Sequence, residues 1–132
     1  MRKIIILLLL YFYSTQAVTA TNNEYSCITE SVRVFPSKYD DKKFIAENLK
    51  KTYLIQVGTE EIYVKTFSNY HDDYQTIYNI LRRDSEPIGI SSINTKDIVS
   101  MNTFRFSEKY GEGTIVLQGT FYVNSWKLKC KK

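Results

Sequence analysis

The chain has little of what most enzyme chemistry needs. Its 132 residues include one histidine, two cysteines, five glycines and two prolines. The single histidine, His71, stands in Asn69-Tyr70-His71-Asp72-Asp73-Tyr74. Structural zinc sites take four protein ligands and catalytic ones three. Here three adjacent candidates diverge in an extended chain, so the stretch reads as a polar loop. Gly89-Ile90-Ser91-Ser92-Ile93 lacks the second glycine of a nucleophile elbow. Gly111-Glu112-Gly113 lacks the lysine, the hydroxyl and the following helix of a phosphate loop. The carboxylate pairs Glu60/Glu61 and Glu108/Glu112 fall at expected hairpin tips, where charge is ordinary. No catalytic residue, cofactor or metal is expected. There is no Asn-x-Ser/Thr acceptor for N-glycans, no internal repeat and no domain linker.

Only the first 20 residues are strongly apolar. Arg2 and Lys3 precede an unbroken apolar run from Ile4 to Tyr13, and Val18-Thr19-Ala20 supplies small residues for cleavage after Ala20. The run is shorter than the roughly 20 residues a membrane helix takes. Residues 1–20 are therefore expected to be a cleaved signal peptide and 21–132 a single β-rich domain. The product is expected to be secreted or periplasmic, with no stable membrane insertion after cleavage. The formal charge of +4 counts 18 basic against 14 acidic residues; without Arg2 and Lys3 it falls to 16 against 14, or +2. Nucleic-acid binding wants a clustered basic face, which that balance does not provide. Lys127, Lys129, Lys131 and Lys132 read as edge-strand lysines that discourage pairing with other chains.

Two cysteines in an exported chain point to an oxidising compartment and one disulfide, Cys27–Cys130. That bond would tie the first strand to the last.

Between the cysteines the dominant period is two. Strands are expected over 25–35, 52–57, 61–67, 75–82, 88–93, 98–107 and within 114–130. The cleanest hairpin is 52–67, around Gly58-Thr59-Glu60. One short helix is expected over 41–51, with Phe44, Ile45, Asn48 and Leu49 recurring on one face and Asp40 or Asp41 capping it. In the last run the apolar residues change face. Ile115, Leu117, Phe121 and Val123 are odd-numbered; Trp126, Leu128 and Cys130 are even. A bulge at Asn124-Ser125, with a bend at Gly119, would account for this. The fold class is all-β, mainly antiparallel: a small up-and-down barrel or sandwich of seven to eight strands with one short helix.

Eleven tyrosines and seven phenylalanines are a notable excess. Small barrels can enclose one apolar ligand, and exposed aromatics can anchor an interface. The expected function is a non-enzymatic binding module that meets another macromolecule through loops or an exposed aromatic face, here Tyr63, Phe67, Tyr78, Tyr122 and Trp126. The alternative is a lipocalin-like carrier of a small apolar ligand. Tyr25-Ser26-Cys27 and the late Cys130 are similar to features of the small exported bacterial lysozyme inhibitors of the membrane-bound type. That likeness covers a few residues and implies a β-barrel. The serine- and glycine-rich inhibitory loop of those proteins has no counterpart here.

Overall fold

In the computed structural model, residues 23–36, 42–83, 90–94 and 100–132 are described, with 90–94 described by backbone alone. The expected signal segment and the capping residues Asp40 and Asp41 lie outside them. Eight strands and one helix follow in order: β1 Asn23–Phe35, α1 Lys42–Leu49, β2 Thr52–Val57, β3 Glu61–Phe67, β4 Tyr74–Arg83, β5 Ile90–Asn94, β6 Met101–Ser107, β7 Glu112–Gln118 and β8 Val123–Lys131. Each strand pairs antiparallel with the next, and β8 returns to β1, giving a closed up-and-down barrel. Closure leaves no free sheet edge.

The alternation in the sequence makes the wall. In β2, Tyr53, Ile55 and Val57 are buried; in β3, Ile62, Val64 and Thr66 are buried. The register pairs Tyr53 with Thr66, Ile55 with Val64 and Val57 with Ile62, so each inward residue faces another. Cys27 lies opposite Cys130, their Cα atoms 4.0 Å apart, and the two are bonded. The bond fits a non-reducing, extracytoplasmic setting. Among the described residues no helix is long and apolar enough to cross a membrane.

Two departures from simple alternation shape the barrel. The first is a bulge in β1 between Thr29 and Ser31. Tyr25, Cys27 and Thr29 are buried before it; after it the half-buried positions are Ser31, Val32 and Val34. The extra residue, Glu30, points out and meets Lys127 Nζ at 2.9 Å. The second corrects the expected bulge at Asn124-Ser125. The phase changes instead at a hairpin turn: Gln118 pairs with Val123, and the Gly119 N–H donates to the Tyr122 carbonyl at 3.0 Å. The run is thus two strands whose register is unbroken. Phe121, expected to face inward, stands in the turn and is exposed.

Two glycines have specific reasons. Gly111, in the β6–β7 turn, has φ of +58° and accepts a hydrogen bond from the Cys130 N–H at 2.7 Å. A side chain there would lie 2.5 Å from the Cys130 carbonyl oxygen, so the position is closed on both counts. Gly113 lies within β7, and the reason for it is space: a Cβ would sit 2.8 Å from the Phe104 ring.

Because the strands alternate in direction, the β1–β2, β3–β4 and β7–β8 connections share one end of the barrel. Helix α1 belongs to the first of them, so we call this the helix end. Beyond the bulge, β1 pairs only with β8, and α1 packs beside that stretch. The contact is specific. The indole N–H of Trp126 donates to Asn48 Oδ1 at 3.0 Å, and Asn48 Nδ2 donates to the Phe44 carbonyl at 2.8 Å.

Candidate binding site at the helix end

The interior divides into two halves. Away from the helix it is packed with rings. Tyr25 meets Phe106 edge-on with centroids 4.9 Å apart, Phe106 stacks on Phe104 at 5.8 Å, and Phe104 tilts against Tyr78 at 5.4 Å. Towards the helix end the packing opens into a cavity of about 60 Å³, which is room for roughly four waters. Its lining is rich in hydroxyls: Tyr53, Thr66, Tyr74, Thr76 and Tyr78, with Asn102 beside them. Those residues occupy the inward positions of β2, β3, β4 and β6 nearest the helix end. Trp126, Ile115 and Leu117 supply much of the apolar wall.

The phenols of Tyr53 and Tyr78 are held protonated. Burial pushes Tyr53 up to about 12. Tyr78 is also raised, first by burial and then by the nearby Tyr74; its hydroxyl donates to Asn102 Oδ1 at 2.9 Å. Beside the cavity is Lys51, half-buried, its ammonium 5.9 Å from the Tyr74 ring centroid and 6.0 Å from that of Trp126. Burial holds its pKa below the ordinary lysine value.

These shifts have a sign. A buried neutral phenol keeps its proton while the unfolded chain loses its own above pH 10, so stability falls as pH rises from about 10 to 12. Lys51 acts oppositely. Just below its ordinary value of 10.5 the unfolded chain binds the extra proton, and stability rises with pH there. Urea midpoints are expected to fall between pH 10 and 11.5, and Tyr53→Phe should flatten that fall. An equal slope in wild type and variant would contradict the assignment.

The structure separates the five aromatics read as one surface. Tyr78 is 1% exposed and Trp126 8%, so both are core residues, not surface anchors. Each can be buried because its polar tip has a partner: Asn102 for Tyr78 and Asn48 for Trp126. Tyr63 and Phe67 lie half-exposed on the outer face of β3. The Tyr63 hydroxyl donates to Glu61 at 2.6 Å, and Lys65 Nζ stands 5.1 Å from the Phe67 ring centroid. Tyr122 is exposed at the helix end, its ring over Gly119. His71, Asp72 and Asp73 are exposed in the β3–β4 loop. Among the described residues no three His, Cys, Asp or Glu side chains gather as metal ligands.

An aromatic rim is present, but with other members. Phe121 is 80% exposed and Phe35 70%, and Met101 is also exposed. The pairs Phe35–Val123, Gln118–Val123 and Met101–Gln118 place them around the β7–β8 turn, beside Tyr122. Tyr70 and Tyr74 stand exposed at the same end, where Lys50 Nζ donates to the Tyr70 hydroxyl at 2.9 Å. The signal for Phe121 was Gly119-Thr120, a turn that can end a strand.

Comparison with protein-family models, with curated proteins and with solved structures returns no match.

Proposed function

We propose that this is an exported, non-enzymatic module that binds another macromolecule with the helix end of its barrel. The observation that carries this reading is the gathering of Phe35, Phe121, Tyr122 and Met101 around one turn. Elsewhere among the described residues the large exposed apolar side chains, Ile28, Leu81 and Tyr110, sit singly, which is ordinary on a protein surface. The outer wall carries charged and polar contacts such as Lys129–Glu112 at 3.2 Å and Gln56–Glu24 at 2.9 Å, where a lipid-facing wall would be apolar. Export to a secreted or periplasmic location rests on the first 20 residues and the disulfide. The carrier reading has less support. A drug-sized ligand needs a cavity of about 300 Å³ or more, and the cavity at the helix end has about 60 Å³.

The test is photo-crosslinking in the producing cells. A photoreactive side chain at position 121 is expected to trap a discrete partner, and the same group at the exposed position 81 on β4 is not. Identical products from both positions, or products from 81 alone, would sink the proposal.

A further inference from the structure

The cavity at the helix end is unlike the rest of the interior. Among the described residues its lining contains no carboxylate, and five of those ten residues carry a hydroxyl. Tyr53 and Tyr78 stay protonated well above neutral pH, so they remain O–H groups there. Asn102 uses Oδ1 to accept from Tyr78, which leaves its amide N–H groups as donors. Tyr74 is exposed and forms the outer lip, so the cavity opens to solvent. The Lys51 ammonium stands beside it, against two rings of the lining, Tyr74 and Trp126. Lys51 has no carboxylate partner among the described residues. A half-buried cation with only aromatic faces for company is incompletely compensated, and a small anion is the chemistry that completes it.

We infer that this cavity is a receptor for a single carboxylate group. Lys51 supplies the counter-charge. The hydroxyls of Tyr74, Thr66 and Thr76 supply donors to the two oxygens. The size agrees, since a carboxylate's three heavy atoms take about the space of the few waters the cavity holds. The inference rests on the binding-module reading and deepens it. An acidic side chain of the partner would enter the cavity while the Phe35–Phe121 rim packs around it. A free small carboxylic acid offers the same chemistry, and the test tells the two apart.

Trp126 is the only tryptophan, so its indole N–H gives one unambiguous cross-peak in a proton–nitrogen spectrum. The protein is titrated with acetate, with acetamide as the neutral match, and with glutamate blocked at both its amino and α-carboxyl groups. Acetate and blocked glutamate are expected to shift the Trp126 peak to saturation, and acetamide is not. Tighter binding of blocked glutamate identifies a partner's side chain; equal or tighter binding of acetate identifies a free small acid. Lys51→Met should weaken carboxylate binding about tenfold or more, the loss of one charge-assisted bond. Thr66→Val, which keeps the charge and removes one donor, should weaken it less. The peak position before ligand is added reports whether each variant is folded. Linear, unsaturating shifts equal for acetate and acetamide would overturn the inference, as would unchanged binding in a folded Lys51→Met. Because the crosslinking at position 121 does not depend on acetate, failure here with crosslinking intact removes only the carboxylate receptor.

Discussion

Reducing the Cys27–Cys130 bond is expected to cost most of the molecule's stability. The bond closes a loop with a sequence separation of 103, and chain-entropy arithmetic for about 100 residues gives about 4.7 kcal/mol. Small domains are stable by only about 5–15 kcal/mol in total. The location adds to the effect. The cysteines join β1 to β8, the pair that closes the barrel, and Gly111 of the β6–β7 turn is hydrogen-bonded to the Cys130 N–H. Losing the bond loosens closure and turn together. At a urea slope of about 1–3 kcal/mol per molar, the unfolding midpoint should fall by roughly 2–5 M on reduction. The double variant Cys27→Ala/Cys130→Ala should match the reduced protein, which separates the bond from other effects of the reductant. An unchanged midpoint would mean that strand pairing alone holds the barrel closed.

The next largest effect is expected at Phe104. Its ring is fully buried between Tyr78 and Phe106 and lies directly over Gly113 of the neighbouring strand. Phe104→Ala should cost about 3–5 kcal/mol, because the surrounding wall cannot collapse into the space. Gly113→Ala should also destabilise, since the new methyl meets the ring. The two should not add. With the ring gone, the methyl at 113 enters the hole that truncation leaves, and Gly113→Ala should become neutral or stabilising in the Phe104→Ala background. A double-mutant cycle by urea denaturation measures this directly. Additive losses would show that Gly113 is needed for its backbone freedom, not for the room it gives the ring.

Much of the fold was legible from local pattern. β2 and β3 have the bounds the sequence predicts, because Gly58-Thr59-Glu60 separates two runs of β-forming residues. Two cysteines near the ends of the domain gave the β1–β8 closure. The helix was expected at its place, and within the described residues it ends at Leu49, with Lys50 and Lys51 beyond its last turn. What was not legible depends on contacts far apart in sequence. The bulge at Thr29/Ser31 is set by pairing with β8, so β1 showed only a blurred alternation. Period two separates the faces of a strand without saying which is inside. Tyr78 and Trp126 could be either, and their burial was decided by Asn102, 24 residues away, and Asn48, 78 residues away. The same holds for the candidate site. Thr66, Thr76 and Asn102 carry no motif, and only barrel closure brings them to one cavity beside Lys51.

The central claim is that this barrel acts by its rim and holds no apolar cargo. Mass spectrometry of the exported protein, native and then denatured, tests it most directly. The expected native species is the bare chain, two hydrogens lighter than its reduced form because of the Cys27–Cys130 bond. A co-purified apolar compound that leaves on denaturation would contradict the claim and make the protein a carrier.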